Sequence, residues 1–212
     1  MQIILAGATG LIGAEVLRQS ELDSRIERVC AVTRKPIPRP HGAKCLEFST
    51  NFAKFPTDFP PGRYTGAICC LGTTMAKAGS KEAFRLVDFD YVLNFANWVK
   101  RNGVEHFSLV SAMNADRKSL VFYNRVKGEI EDAVAGLNFP KLTILRPGLF
   151  IGQRTEKRAA ESIAIRVHGF LKAMLPPSWQ GVTAEDVAKV LLAQQFRQKG
   201  GLEIIYNRDL PH

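Results

Sequence analysis

Cysteine is scarce in this chain and forms no recognisable metal-binding pattern. The four cysteines, Cys30, Cys45, Cys69 and Cys70, lie in or beside apolar runs, and no C-x-x-C pair occurs. We therefore expect buried, reduced thiols, with neither a metal site nor a disulfide framework.

Long apolar runs are also missing. No segment approaches the roughly 20 consecutive apolar residues that a membrane-spanning helix needs. The first apolar run is short, no basic segment precedes it, and a glycine-rich turn interrupts it, unlike the pattern of a signal peptide. These absences predict a cytoplasmic protein that has no membrane partner.

Positive charge is in excess but is not concentrated. Lys and Arg number 29 against 20 Asp and Glu, which gives a net charge of +9. No run of five basic residues and no nucleic-acid-binding motif occurs, so nucleic acid is not an expected partner. An anionic ligand fits the charge better. The 212 residues, of which 46% are apolar, are sufficient for one globular α/β domain.

The glycine-rich turn follows an apolar strand-like run, Ile3 to Leu5, and precedes a segment with helical apolar spacing. In this strand–turn–helix context, G-x-x-G-x-x-G is typical of dinucleotide binding. The first glycine permits a tight turn, the second lets a pyrophosphate approach, and the third lets the helix pack closely. The helix N-terminus favours the phosphates. The predicted cofactor contacts here are Gly7, Thr9, Gly10, Leu11, Ile12 and Gly13.

Two basic residues follow the second predicted strand, Val29 to Val32. In a dinucleotide fold, an acidic residue at this point binds the ribose 2′-hydroxyl of NAD, whereas Arg accommodates the 2′-phosphate of NADP. Arg34 and Lys35 therefore favour NADP(H) over NAD(H). The alternative is that they are exposed basic residues with no ligand.

Further cofactor contacts are expected where other strands end, because ligands bind at the carboxyl ends of parallel strands. The apolar run Ala67 to Leu71 is typical of a central parallel strand. Another strand is predicted from Leu142 to Leu145. The residues expected to meet the cofactor beyond these strands are Leu71, Gly72, Thr73, Thr74, Pro147 and Gly148.

The remaining segments alternate between strand and helix patterns. Further strands are predicted at 44–48, 106–111 and 202–206, and helices at 81–101, 120–136, 159–174 and 184–195. Thr183 is an expected N-cap. This alternation predicts an α/β fold, a Rossmann-like doubly wound parallel sheet with helices on both faces. We expect a single domain over 1–212, with a small substrate or lid region at about 151–182.

Three polar residues converge at the predicted ligand edge. Ser111 ends a strand, while Tyr123 and Lys127 lie four residues apart on the next helix and share a face. A nearby ammonium favours the phenolate and so lowers the pKa of a tyrosine. Such a tyrosine can exchange a proton near neutral pH, and a serine can hold a substrate oxygen. These three residues are the predicted catalytic set.

The glycine motif, Ser111, and Tyr123 with Lys127 resemble the short-chain dehydrogenase/reductase superfamily, in particular its extended and atypical members. Cys70 to Thr74, Val87 to Val92, Tyr123 to Glu129, and Arg146 to Gly148 resemble the HIV Tat-interactive protein 2 family. The resemblance covers nearly the whole chain and weakens after about residue 155. It implies a Rossmann-like fold, NADP(H) binding, a Ser-Tyr-Lys site, and a cofactor 2′-phosphate contact at Arg34.

Two functions compete at this point. The first is an NADP(H)-dependent oxidoreductase that acts on a small carbonyl or alcohol. The second is a regulator that senses NADP(H), binds a protein partner and turns over little, as the resemblance implies. The oligomeric state is left open between monomer and homodimer.

Overall fold

Seven parallel strands form the central sheet. The computed structural model describes residues 1–37, 42–150 and 181–211. The strands are β1 (Gln2–Ala6), β2 (Arg28–Thr33), β3 (Cys45–Ser49), β4 (Tyr64–Cys69), β5 (His106–Val110), β6 (Lys141–Arg146) and β7 (Gly201–Tyr206).

The strand order is β3-β2-β1-β4-β5-β6-β7. Strand β1 is central, because it pairs with β2 on one side and β4 on the other. The direction of chain progression reverses at β1, so a crevice opens beyond the carboxyl ends of β1 and β4. This order confirms the predicted Rossmann-like sheet and places its ligand edge after Ala6.

Helices cover both faces of the sheet, as predicted. The helices are α1 (Leu11–Leu22), α2 (Met75–Ala78), α3 (Lys81–Arg85), α4 (Tyr91–Arg101), α5 (Phe122–Ala135) and α6 (Ala184–Gln195). Successive side chains of a strand point to opposite faces. Ile3 and Leu5 therefore pack with α1 and α6, whereas Ile4 and Ala6 belong to the core under α4 and α5.

One predicted helix is interrupted. The pattern over 81–101 predicts a continuous helix, but a π-helical turn (Leu86–Asp90) separates α3 from α4. The turn coincides with a buried ion pair, since Asp88 lies within it, is fully buried and pairs with Lys127. The short helix α2 was not predicted.

The later elements agree with the sequence where they are described. Helix α6 begins after Thr183, whose hydroxyl accepts a hydrogen bond from the Asp186 amide. The predicted helix at 159–174 lies outside the described residues. So does most of the predicted lid region, apart from its last two residues, of which Val182 pairs with Phe150. Within the described ranges, no helix is long and apolar enough to cross a membrane.

Candidate functional site

Two features of the structure require a glycine at the first position of the motif, namely its backbone conformation and the close approach of a neighbouring segment. Gly7 has a φ of +86°, a left-handed conformation that favours glycine. A Cβ atom at this position would lie 2.6 Å from the carbonyl carbon of Cys70. The absence of a side chain therefore lets the end of β1 approach the segment that follows β4.

The third glycine allows helix α1 to pack against the turn. A Cβ atom at Gly13 would lie 2.1 Å from the Gly7 carbonyl oxygen, which is closer than any real contact. Between them, the Gly10 amide donates a 3.0 Å hydrogen bond to the same oxygen. The motif thus forms a compact turn that leads directly into the helix.

The N-terminus of α1 has the character of an anion site. Gly10 is the N-cap residue and supplies no side-chain cap, and the first turn contains no acidic residue. The first amide groups of a helix lack intrahelical partners and carry the positive end of the helix dipole. They therefore favour a phosphate group in the crevice.

A cleft of about 390 Å³ opens beside this helix end. Its walls contain five of the predicted cofactor residues. Its lining residues are Gly7, Ala8, Thr9, Val32, Thr33, Arg34, Lys35, Phe52 and Leu71. The exposed side chains of Arg34 and Lys35 thus border the same cleft as the glycine turn.

Sequence reasoning missed four lining residues of this cleft, of which Ala8 lies within the glycine turn itself. Val32 and Thr33 end β2, directly before the predicted Arg34, so their position could have indicated them. The Thr33 hydroxyl is buried and has no hydrogen-bond partner among the described residues, which is uncommon for a buried polar group. Phe52 comes from the loop after β3, and no local pattern pointed to it.

A second group of residues lies where β4 ends. The Lys127 ammonium, on α5, forms an ion pair with Asp88 at 2.7 Å. The other carboxylate oxygen of Asp88 accepts a 2.8 Å hydrogen bond from the Thr73 amide. A Cβ atom at Gly72 would lie 3.7 Å from the ammonium. The structure therefore brings Lys127 to Gly72 and Thr73.

The charge of Lys127 is maintained despite its burial. Burial alone would lower the pKa of its ammonium group, but the neighbouring Asp88 carboxylate and Tyr123 phenol together raise that pKa above its ordinary value. Lys127 is therefore protonated at neutral pH. Tyr123 is near enough to interact with this charge electrostatically.

Tyr123 itself is held by aromatic packing. Its ring centroid lies 5.4 Å from that of the buried Phe84, and the side chain remains partly exposed. This packing holds the Tyr123 ring against the core.

Ser111 lies immediately beyond β5 and is buried. Its amide donates a 2.8 Å hydrogen bond to the Leu145 carbonyl, which ties it to β6. Its hydroxyl has no hydrogen-bond partner within the described part of the chain. A buried hydroxyl without a partner is uncommon and suits an oxygen-bearing ligand.

The segment after β6 is fixed by other contacts. The Gly148 amide donates a 2.6 Å hydrogen bond to the side-chain oxygen of Asn207, and the Pro147 carbonyl accepts one from Met113. Thr74 has a local role as well, since its hydroxyl accepts a hydrogen bond from Lys77 and caps α2. Leu11 and Ile12 form the first turn of α1, and Leu11 is exposed there.

Two further contacts hold α5 in place. A Cβ atom at Gly128 would lie 2.1 Å from the Arg117 amide nitrogen, so the loop after Ser111 lies directly on the helix. Glu131 of α5 is buried and pairs with Arg146, at 2.5 Å, at the end of β6. These contacts join α5, the helix that carries Tyr123 and Lys127, to the strand ends.

Solved structures with this fold include nucleotide-sugar enzymes. MoeE5 in complex with UDP-glucuronic acid and NAD matches with a TM-score of 0.73 and 14% identity, over 96% of this chain and 75% of that one. The UDP-glucose 4-epimerase of Thermotoga maritima matches with a TM-score of 0.69 and 16% identity, over 97% and 77% of the two chains. The chain therefore has the Rossmann-like fold of these enzymes.

Relatives in sequence cover almost the whole chain. The rat protein HTATIP2 is 32% identical over 99% of this chain and 88% of its own length. The mitochondrial protein FMP52 of Debaryomyces hansenii is 31% identical over 90% of this chain and 85% of its own.

The names of the fungal relatives correct one prediction. FMP52 proteins of Debaryomyces hansenii, Candida albicans and Emericella nidulans are all named as mitochondrial. The predicted cytoplasmic location is therefore wrong. It rested on the absence of long apolar runs, which bears on membrane crossing and does not determine a compartment.

A family model also matches the central region of the chain. A model of the family described as HIM1 matches residues 63–177, which include β4, the π-helical turn, Ser111, Tyr123 and Lys127. That match and the relatives above support the same assignment. The chain belongs to the HIM1 family, as an atypical short-chain dehydrogenase/reductase that resembles HTATIP2.

Proposed function

We propose that this protein is an NADP(H)-dependent oxidoreductase that acts on a small carbonyl or alcohol. The observation that carries the proposal is the buried, charged Lys127, which interacts with Tyr123 and lies against Gly72 at the ligand edge. A buried ammonium is costly unless it is paired, and Asp88 is its partner here. Catalytic sites commonly contain such groups.

The cleft beside α1 suits the adenosine and pyrophosphate end of the cofactor. The glycine turn and the uncapped helix N-terminus favour the pyrophosphate. Arg34 and Lys35 provide positive charge for a 2′-phosphate, and the unpartnered Thr33 hydroxyl offers a hydrogen bond to the same ribose. The residues present therefore fit NADP(H).

The second group of residues suits the reacting end. A bound nicotinamide cofactor supplies or accepts the hydride. In carbonyl reduction, the Ser111 hydroxyl donates a hydrogen bond to the substrate oxygen, and Tyr123 gives that oxygen its proton. Lys127 stabilises the phenolate that this transfer leaves on Tyr123. The carbonyl carbon thus gains a hydride and its oxygen gains a proton, which gives the alcohol.

Turnover of a carbonyl panel tests this proposal. Purified protein is mixed with NADPH, and NADPH oxidation is followed with aliphatic and aromatic aldehydes, ketones and quinones. Substrate-dependent oxidation with matching formation of the alcohol is expected. If NADPH binds but no carbonyl is reduced and no alcohol is oxidised with NADP⁺, the regulatory alternative gains support instead.

Arg34→Ala is expected to weaken NADPH binding by about 10-fold to 100-fold, since a charge-assisted contact to phosphate contributes roughly 1.5–3 kcal/mol. NADH binding should change by less than about twofold, because NADH has no 2′-phosphate. Calorimetric titration of both cofactors measures the two effects separately.

The matched control is Arg63→Ala, which removes an exposed arginine near the start of β4, at the opposite edge of the sheet. It should leave both affinities unchanged. An equal loss for NADPH and NADH in Arg34→Ala would contradict the role given to Arg34.

A further inference from the structure

We propose that Asp88 is a positioning residue that links the cofactor-side loop at Thr73 to the Lys127 ammonium. The proposal rests on the proposed function for its catalytic consequence. Its structural part, the link through a single carboxylate, is tested below without cofactor or substrate.

One buried carboxylate serves two partners in this arrangement. Asp88 is 0% exposed, and its two oxygens face different groups. Oδ1 lies 2.7 Å from Lys127 Nζ, and Oδ2 accepts a 2.8 Å hydrogen bond from the Thr73 amide. Thr73 follows β4 at the ligand edge, and Lys127 is on α5. The side chain therefore joins two elements that are distant in sequence and adjacent in the site.

The backbone around Asp88 is unusual in a way that fits this role. Asp88 is the middle residue of the π-helical turn, Leu86–Asp90. Turns of this kind are rare and are frequently found at functional sites. Helix α3, before the turn, contains the buried Phe84, which packs against Tyr123. Helix α4, after the turn, contains the buried Val92 and Phe95. The turn lets Asp88 reach the site while both flanking helices keep their apolar contacts.

The surroundings of Lys127 make its charge depend on this carboxylate. The ionisable groups that act on it are Asp88 from the π-helical turn, Tyr123 from its own helix, and Cys69 from β4. Asp88 is the strongest of the three in raising the pKa of the ammonium, and burial acts in the opposite direction. Without the negative charge, burial would dominate and the pKa of Lys127 would fall.

Asp88→Asn separates the two contacts. The amide oxygen of Asn can still accept the Thr73 hydrogen bond, whereas the negative charge is removed. The melting temperature of the cofactor-free protein is measured against pH for the wild type, Asp88→Asn, and the double variant Asp88→Asn/Lys127→Met. Asp90→Asn, in the same turn, is the matched control for loss of a carboxylate.

The sign of the expected effect follows from linkage. In the wild type, the pKa of Lys127 is raised, so its stabilising contribution is complete at neutral pH and is lost only as pH rises through that raised value. In Asp88→Asn that pKa is lowered, so the variant is least stable relative to wild type at low pH. The difference in melting temperature between wild type and Asp88→Asn should therefore become smaller as pH rises from about 6 to about 9.

The double variant decides whether Lys127 causes this effect. The melting temperature of the double variant should lie below that of the wild type by an amount that does not vary with pH over that range, because the titrating ammonium is gone. If Asp88→Asn fails to fold alone, recovery of folding in the double variant is the expected result. A deficit in Asp88→Asn that is independent of pH, or one that narrows equally in the double variant, would overturn the link.

A kinetic arm tests the positioning role itself. Asp88→Asn should bind NADPH within about threefold of wild type, while its kcat falls and the pH profile of kcat is displaced. Asp88→Leu, which loses the Thr73 contact as well, should also weaken NADPH binding. Unchanged pH profiles in Asp88→Asn would overturn the catalytic role. Lack of turnover in the wild type, with the pH-dependent stability as expected, would refute the proposed function and leave the link intact.

Discussion

Replacing Tyr123 with Phe is expected to lower the kcat of carbonyl reduction by about 10²–10⁴-fold, the usual contribution of a positioned acid or base. NADPH affinity should stay within about twofold, because the ring keeps its packing against Phe84 at a centroid distance of 5.4 Å. Only the hydroxyl is lost, and with it the proton for the substrate oxygen. Steady-state kinetics and titration of NADPH measure the two quantities.

Tyr64→Phe is the control for this change. Tyr64 begins β4 at the opposite edge of the sheet, and its hydroxyl donates a 3.2 Å hydrogen bond to the Pro61 carbonyl. Its loss should lower the free energy of unfolding by about 1 kcal/mol and leave kcat unchanged. Retention of wild-type kcat in Tyr123→Phe would remove Tyr123 from the proposed mechanism.

Gly13→Ala is expected to abolish measurable NADPH binding, with a loss of at least about 100-fold, and to lower stability by about 1–3 kcal/mol. Helix propensity alone predicts the opposite, since Ala exceeds Gly by about 1 kcal/mol within a helix. The steric effect prevails because the new methyl group would lie 2.1 Å from the Gly7 carbonyl oxygen. That oxygen belongs to the backbone and cannot rotate away, so the turn and the start of α1 must separate. Thermal melting with and without NADPH measures both effects.

Gly136→Ala is the control for Gly13→Ala, because it makes the same substitution at a helix end where the new methyl group has space. Gly136 follows α5 with helical backbone angles, and a Cβ atom there meets nothing closer than 3.4 Å. The substitution should therefore be neutral or slightly stabilising. If Gly13→Ala behaves in the same way, the close approach of α1 to the turn is not required for binding.

Much of the fold could be predicted because its signals are local. The strands from β1 to β6 are short apolar runs, and the glycine turn and Thr183 cap mark helix starts by residue type. The C-terminal stop of α4 is equally local, because Gly103 has a φ of +80°. Periodicity and turn chemistry act within a few residues, so a single sequence contains them.

The features that were missed depend on contacts between distant segments. The π-helical turn cannot be identified from the pattern over 81–101, because its correlate is the pairing of Asp88 with Lys127, which lies on another helix. Phe52 reaches the cleft because the loop after β3 is anchored to α4, through Asn94 and through Trp98, whose indole donates a 3.1 Å hydrogen bond to the Pro56 carbonyl. No local rule gives the position of such a loop.

The residues of the candidate site also differ in whether local sequence signals or contacts between distant segments reveal them. Ser111, Tyr123 and Lys127 were proposed from strand ends and helical spacing, which are local signals. Asp88 and the orphaned Thr33 hydroxyl are visible only in three dimensions, where burial and hydrogen-bond partners can be assessed. The roles proposed for these residues, whether catalytic, positioning or cofactor-binding, stay predictions.

The packing of α1 against α6 has a consequence for how the protein is made. Val16 and Leu17 of α1 share their core with Val187 and Leu191 of α6, near the other end of the chain. When α1, β1 and β2 have emerged from the ribosome, α6 has therefore not yet been synthesised. The part of this apolar surface that α6 covers stays exposed until residue 195 emerges, so this long-range contact forms late in synthesis. Chaperone binding to nascent chains is expected to persist up to that length and to end soon after it.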